Sequence, residues 1–204
     1  MHMGHLSERN EVLGNVMGSL KKAPYPDYPD DIALASPRLE DEDPWKNFAN
    51  NFTAAHGHFV DSIDSLMALL KKHEALVGCC DPDLKKLVTK EMSSNFDITY
   101  GFDRKDINKF AFGMTFASGV IAESGTLILN DKDTYSRLAA LAPWIHVACV
   151  KRLLIHNSIA EALVNQGSDS NTIWVSGPSK TADVEGILIE GVHGPGVQIC
   201  FLID

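Results

Sequence analysis

The sequence predicts an α/β fold whose strands form a mostly parallel sheet. Thr172–Ser176 is a short β-branched and aromatic run, and Val197–Ile203 is an almost continuous apolar run. Both patterns are typical of buried strands. The segment GPSKTADVEG between them predicts a tight turn that opens a helix. Strand, helix and strand in this order indicate a crossover unit, which joins parallel strands of one sheet.

The turn after the first of these strands carries a candidate anion site. Gly177 lets the backbone bend, and Pro178 fixes the bend. Ser179 or Thr181 would cap the predicted helix through its hydroxyl group. The free amides and the dipole of the first helical turn attract anions, and Lys180 adds a positive charge beside them.

Acidic residues in the same segment leave a second interpretation open. Asp183 and Glu185 suit the positive end of a helix and would themselves occupy the site. A well-capped helix without a ligand therefore explains the spacing as well as an anion site does.

A second informative stretch, FGMTFASGVIAESGTLILN, spans residues 112–130. Gly119–Ala122 and Thr126–Leu129 are β-prone runs separated by three residues, which predicts a tight hairpin. Glu123 then lies at a sharp turn, where functional carboxylates often occur. Taken alone, a solvated turn residue is the favoured interpretation of Glu123.

The amino-terminal part is predicted to be largely helical. Ser7–Ala23 places apolar residues at helical spacing. Pro24–Pro44 is rich in proline and aspartate and predicts a linker or an extended arm. Pro44–Ala75 carries an apolar residue every three or four positions, which predicts a long helix with Gly57 as a point of interruption. Shorter elements are predicted as strands at Leu76–Cys80 and Trp144–Val150, and as helices at Pro82–Met92, Thr134–Ala142 and Ser158–Asn165.

Composition restricts the class of protein. The 204 residues are 45% hydrophobic and 22% charged, which suits one globular domain over residues 45–204 with an extension over residues 1–44. The net charge of -9 and the lack of a basic run argue against nucleic-acid binding. No apolar stretch approaches the roughly 20 residues of a membrane span. The first residues do not resemble a signal peptide, so a cytoplasmic protein is expected.

The four cysteines, Cys79, Cys80, Cys149 and Cys200, form no C-x-x-C pair. Neither a zinc site nor an iron–sulfur cluster is therefore predicted, and the expectation is that this chain holds no metal or cofactor. A metal site formed by His146, His193 and a cysteine is the least favoured of the alternatives.

Three ordered motifs carry a resemblance to a known family. IAESGTLIL, RLAALAPWIHVACV and GPSKTADVEGILIEGVHGPG are similar to motifs of the lactate-utilization protein C family, whose domain is called the LUD domain. The similarity covers about residues 110–204. Two departures are small: Ser124 stands where the family usually has Thr, and Gly196 where many members have Arg or another polar residue.

The resemblance implies a fold like that of the NagB/RpiA/CoA-transferase group, a mixed or mostly parallel sheet with helices on both faces. It also implies a role in the oxidation of L-lactate to pyruvate together with iron–sulfur and cysteine-rich partner subunits. The clusters would then belong to the partners.

Three hypotheses about function follow. The first is an accessory subunit that binds a small carboxylate or anion, with Glu123 or His146 as a base. Arg137 would pair with a carboxylate, and the small residues around His193 would let the backbone approach a ligand closely. The candidate ligand-binding residues are Arg137, Gly177, Ser179, Lys180, Thr181, Asp183, His193 and Gly194. The second hypothesis is an independent enzyme of the isomerase or transferase fold group with Glu123 as nucleophile or base, and the third is a non-catalytic scaffold.

A histidine within a strand, as predicted for His146, is more often a structural residue than a base. The shared-site hypothesis also makes a geometric prediction, namely that the loops carrying Glu123, Thr181 and His193 meet.

Overall fold

The computed structural model describes residues 4–22, 39, 41–165, 171–182 and 187–204. Residues 1–34 and 35–204 form two compact units. In the first unit, α1 spans Gly4–Lys22 and confirms the helix predicted there. The described helices include none with the length and apolar character needed to cross a bilayer.

The second unit is built around a six-stranded parallel sheet with the strand order β1-β12-β7-β4-β2-β3. The strands are β1 (His58–Val60), β2 (Val77–Cys80), β3 (Asp97–Tyr100), β4 (Phe112–Phe116), β7 (Ile145–Lys151) and β12 (Val197–Ile203). β7 and β12 pair over seven residues in register, from Ile145 opposite Val197 to Lys151 opposite Ile203. Strands covered on both faces tend to be continuously apolar, which is why these two were recognisable in the sequence.

A smaller sheet has the order β8-β5-β6-β9. Its strands are β5 (Gly119–Ile121), β6 (Thr126–Asn130), β8 (Ile155–His156) and β9 (Thr172–Val175). β5 and β6 pair antiparallel, which confirms the predicted hairpin. A third pairing joins the two-residue strands β10 (Lys180–Thr181) and β11 (Ile189–Glu190).

The helices of this unit begin at side chains that cap them. They are α2 (Pro44–Ala54), α3 (Ile63–Lys72), α4 (Lys90–Asn95), α5 (Arg137–Leu141) and α6 (Ile159–Asn165). Asp43, Ser62, Thr89 and Ser136 each accept a hydrogen bond from an amide of the first turn of α2, α3, α4 and α5, respectively. Such caps satisfy donors that a helix start leaves without an intrahelical partner. Two 3₁₀ turns, Pro82–Lys86 and Arg104–Lys109, complete the connections.

Each face of the large sheet has its own apolar cluster. α3 and α4 cover one face, where Leu66 and Leu70 pack with Val147 and Ile199. The smaller sheet, α2 and α5 cover the other face, where Phe48 and Phe52 of α2 belong to the cluster. Because side chains alternate along a strand, Ile145, Val147 and Cys149 face the first cluster, and Ala148 and Val150 face the second. The mostly parallel sheet with helices on both faces is the architecture that the resemblance implied.

The crossover unit predicted at the end of the chain is wrong. β9 lies in the smaller sheet and pairs antiparallel with β6, whereas β12 lies between β1 and β7 in the large sheet. Lys180 and Thr181, expected in the first turn of a helix, are extended in β10. The helical stretch predicted over Pro44–Ala75 is interrupted just after Gly57, the predicted point of interruption, where β1 separates α2 from α3.

Candidate functional site

A cleft of about 240 Å³ brings several of the predicted site residues together. The loops after β9 and before β12 contribute Gly177, Ser179, His193 and Gly194 to its lining. His146 also lines it, near the amino end of β7. Leu141, Trp174 and Val175 supply apolar wall. An apolar cavity with a few converging polar groups is the usual form of a small-molecule site.

Backbone hydrogen bonds hold the two loops against each other. The Ser179 amide donates to the Pro195 carbonyl at 2.9 Å, and the Gly191 amide donates to the Ser179 carbonyl at 2.9 Å. The Ser179 amide is thus not free, and Lys180 is extended in β10, so neither residue belongs to a free helix start as predicted.

Trp144 shapes the loop before β12 and was not among the predicted site residues. A Cβ atom at Gly191 would lie 2.3 Å from the Trp144 ring, and one at Gly196 would lie 2.2 Å from it. Both glycines therefore let the backbone lie directly on the indole. At Gly196, where the resemblance led us to expect Arg or another polar residue, this chain therefore has no room for a side chain.

His146 lies at the bottom of the cleft and is 1% exposed. Gln198 Nε2 donates to His146 Nδ1 at 2.7 Å. The other ring nitrogen, His146 Nε2, lies 2.9 Å from Thr115 Oγ1. Burial lowers the pKa of His146 to about 4, so the ring is neutral at pH 7. Both nitrogens already have protein partners, so a role as a base requires one of these hydrogen bonds to break. That role stays a prediction.

Glu123 is at the turn between β5 and β6, as predicted, but it is not among the residues that line the cleft. Its Oε1 accepts a hydrogen bond from the Ile159 amide at 2.6 Å, at the start of α6. A chain of hydroxyl groups connects this turn with the cleft wall. Thr126 Oγ1 lies 2.7 Å from Ser124 Oγ and 2.6 Å from Ser176 Oγ. The Glu123 carboxylate therefore supports a helix start, and a site shared by the loops of Glu123 and His193 stays a prediction.

Three further candidates contact protein groups outside the cleft lining. Arg137 pairs with the carboxylate of Asp131 through two hydrogen bonds. Lys180 Nζ donates to the Ala55 carbonyl at 2.9 Å. Thr181 is paired with Ile189 in the β10–β11 ladder. Asp183, the remaining candidate, lies outside the described residues.

α2 supports both turns that carry the sequence motifs. Asn51 Nδ2 donates to the carbonyls of Ala122 and Glu123 at 2.9 and 3.1 Å. A Cβ atom at Gly125 would lie 2.3 Å from the Phe52 amide nitrogen, and one at Gly177 would lie 2.2 Å from the Ala55 carbonyl oxygen. Sequence reasoning missed this role, because α2 precedes the Glu123 turn by about 70 residues and the Gly177 turn by about 120.

Metal ligands are not grouped in the described part of the chain. No set of three His, Cys, Asp or Glu side chains there is arranged to hold an ion. Burial raises the pKa of the Cys79 and Cys80 thiols to about 12, which keeps both protonated and poor as ligands.

Comparison with known proteins gives a consistent result. The sequence model of the LUD domain matches residues 54–203. The chain is 30% identical over 127 residues to lactate utilization protein C of Bacillus subtilis, covering 55% of this chain and 53% of that protein. It is 34% identical over 114 residues to lactate utilization protein C 1 of Bacillus mycoides, covering 50% and 49%. The matches thus span about half the length of these curated relatives.

A solved structure supports the fold. The crystal structure of a DUF162 family protein from Deinococcus radiodurans is similar with a TM-score of 0.57 and 18% sequence identity, covering 79% of this chain and 96% of that one. The match of the domain model to about three quarters of the sequence establishes the family. This chain belongs to the LUD domain family.

Proposed function

We propose that this protein takes part in lactate utilization and that its cleft binds a small carboxylate such as L-lactate. The similarity to proteins named lactate utilization protein C supports the proposed participation in lactate utilization. We infer a small carboxylate as the ligand because His193 and Ser179 converge on one cleft that has an apolar wall.

The chemistry of the lining suits such a ligand. The His193 imidazole and the Ser179 hydroxyl are hydrogen-bond donors that suit carboxylate oxygens. Leu141 and Trp174 offer apolar surface to a methyl group. His146 and Gln198 also line the cleft and are hydrogen-bonded to each other. They add polar groups to the lining without adding charge.

Binding is tested by calorimetric titration of the purified full chain with L-lactate and pyruvate. His193→Ala should weaken the binding at least about fivefold, which corresponds to the loss of roughly 1 kcal/mol from one hydrogen bond. His56→Ala is the matched control, because His56 is an exposed histidine that pairs with Glu190 outside the cleft lining. Equal weakening by both variants, or no binding of either acid at millimolar concentration, would contradict the proposal.

The partners form the second part of the proposal. We propose that iron–sulfur and cysteine-rich proteins carry the electrons and that this chain supplies no redox group. The purified chain should then be colourless and should not reduce a dye in the presence of lactate. Affinity capture of the tagged chain from cells grown on L-lactate should retain iron in proportion to the captured complex. A coloured cofactor bound stoichiometrically to the chain alone, or capture without iron, would contradict this part.

A further inference from the structure

Gln198 is a buried polar residue beside His146 in the cleft. It lies in β12, lines the cleft and is 1% exposed. In the register of the large sheet it lies opposite His146 of β7. Residues in register on neighbouring strands point to the same face, which brings the two side chains within hydrogen-bond distance. The Gln198 amide is therefore held by the protein before any ligand binds.

The His146 ring determines which end of this amide is engaged. Because burial lowers the pKa of His146 to about 4, the ring is neutral at pH 7 and carries one N–H group. His146 Nδ1 accepts from Gln198 Nε2, so the proton is on His146 Nε2, which lies 2.9 Å from Thr115 Oγ1. Thr115 is fully buried in β4 and keeps the ring in place. The amide nitrogen of Gln198 is thus used, and the amide oxygen Oε1 is turned away from the ring.

The Gln198 amide oxygen is left for a ligand. Among the residues that the structure describes, the side chain of Gln198 makes one hydrogen bond, the one to His146. In the same part of the chain, His73 Nε2 is the side-chain polar atom that is fully enclosed without a partner. Gln198 Oε1 has no partner either but is not fully enclosed, so it is accessible from the cleft. A confined acceptor without a donor is unfavourable, so a ligand that supplies a donor gains affinity there.

The lining of the cleft also defines which donor fits. None of its described residues is an aspartate or a glutamate. An ammonium group beside Gln198 would therefore be buried without an acidic partner from the protein, which is costly. A 2-oxo group would place a second acceptor against Gln198 Oε1. A neutral hydroxyl group satisfies the amide oxygen without either penalty.

We propose that Gln198 is the specificity-determining residue of the cleft and that it selects 2-hydroxy acids over the corresponding 2-oxo acids. Gln198 Oε1 accepts a hydrogen bond from the ligand hydroxyl, while His193 and Ser179 bind the carboxylate and the apolar wall contacts the carbon chain. This inference rests on the proposed carboxylate site and adds to it the group that distinguishes one carboxylate from another.

Four acids that differ only at the second carbon test this inference. L-lactate carries a hydroxyl group there, pyruvate a keto oxygen, L-alanine an ammonium group and propionate only hydrogen. Each is titrated calorimetrically into the full chain at neutral pH. L-lactate should bind at least about tenfold more tightly than each of the others, because only its second carbon gives Gln198 Oε1 a neutral donor.

The orientation of the amide is tested without a ligand. Nitrogen NMR of the full chain, isotopically labelled at histidine, reports which ring nitrogen of His146 carries the proton. We expect a protonated Nε2 and an unprotonated Nδ1. A protonated Nδ1 would mean that the ring donates to the Gln198 amide oxygen, and this result would overturn the inference.

Two variants separate selection from binding. Gln198→Met keeps the length of the side chain but removes the acceptor, so the affinities for L-lactate and propionate should come within about twofold of each other. Ser179→Ala removes a carboxylate donor and should weaken the binding of all four acids by similar factors while the preference remains. Because the preference is a ratio of affinities measured on one folded protein, a change in stability does not imitate its loss.

The outcomes distinguish this inference from the proposed function. Equal binding of the four acids, or tighter binding of pyruvate or L-alanine than of L-lactate, would overturn the role of Gln198 and leave the carboxylate site in place. A preference for L-lactate that persists in Gln198→Met would also overturn that role. If none of the acids binds at millimolar concentration, both the carboxylate site and the selection by Gln198 are wrong.

Discussion

Of the two glycines that line the cleft, Gly177 leaves less room for a side chain than Gly194. Its φ angle of +86° lies in the left-handed region, and a Cβ atom would come within 2.2 Å of the Ala55 carbonyl oxygen. Any side chain there adds backbone strain and displaces α2 from the turn. The conformation and the close approach both explain why glycine occupies this position.

We therefore expect Gly177→Ala to lower the free energy of unfolding by more than about 3 kcal/mol in denaturant titrations. Gly101→Ala is the matched control. Its φ angle of +96° is similar, but its Cβ would meet only the Tyr135 hydroxyl at 3.3 Å. The control should cost about 1–2 kcal/mol from backbone strain alone. Equal costs at the two positions would show that the contact with Ala55 contributes nothing.

His146 predicts a dependence of stability on pH. In the unfolded chain its pKa is near 6.5, and burial lowers the pKa to about 4 in the folded protein. Between these values the unfolded state binds more protons, so stability is complete above about pH 6.5 and falls as the pH approaches 4. The loss of unfolding free energy that His146 causes over this pH range is on the order of 3 kcal/mol.

His146→Gln should flatten the slope of unfolding free energy against pH over this range. The measurement compares slopes from urea titrations at several pH values, so a variant of lower overall stability still gives an answer. An unchanged slope would mean that the ring is not kept neutral by its burial.

Among the elements, α2 determines how the motif turns are placed. Asn51 donates two hydrogen bonds to the carbonyls of the Glu123 turn. The backbone of Phe52 lies close to Gly125, and the carbonyl of Ala55, just after α2, lies close to Gly177. Asn51→Asp keeps the shape of the side chain but replaces the donor by a carboxylate that faces two carbonyl oxygens.

This substitution should lower the free energy of unfolding by about 2 kcal/mol, because two acceptors lose their donor and a charge faces them. Asn50→Asp, the same change at the exposed neighbouring residue, should have an effect within about 0.5 kcal/mol. Thermal and urea unfolding of both variants provide the measurement. A loss of stability in Asn50→Asp that equals the loss in Asn51→Asp would argue against the role of the donor.

At the scale of the whole molecule, both large apolar clusters lie within residues 35–204. A chain that begins at Ala35 should therefore keep the thermal midpoint of the full chain within about 2 °C, since burial of apolar surface is the main source of stability. It should also bind L-lactate with the same affinity as the full chain if the proposed carboxylate site is correct. A large fall in the midpoint would show that residues 1–34 contribute to the fold.

Local pattern was sufficient for the two longest strands of the large sheet and for the hairpin. The apolar runs at Trp144–Val150 and Val197–Ile203 predicted β7 and β12, since a strand covered on both faces has no polar alternation. The Glu123 turn followed from two β-prone runs with three residues between them. β4 was not recognised as a strand, although it lies in the middle of the large sheet, because Gly113 interrupts a run of only five residues.

The site was recovered in part. Gly177, Ser179, His193 and Gly194 could be singled out because a turn and a glycine-rich loop leave signals over a few residues. Trp144, an exposed residue just before β7, and Gln198, a buried residue of β12, were missed, since nothing in the neighbouring sequence marks either of them. Arg137 and Lys180 were included because their charge is visible in the sequence, whereas their contacts with Asp131 and Ala55 are not.

The sequence by itself determined the class of fold, the strands β7 and β12, and the family of this protein. Only the tertiary structure decided that β9 joins the smaller sheet, that residues 180–181 are extended, and that a cleft opens at the amino ends of β7 and β12. The physical reason is the range of the interactions. Apolar periodicity and turn chemistry act over a few residues, but a strand is completed by hydrogen bonds to partners far along the chain, and these override the local preference for a helix after Gly177.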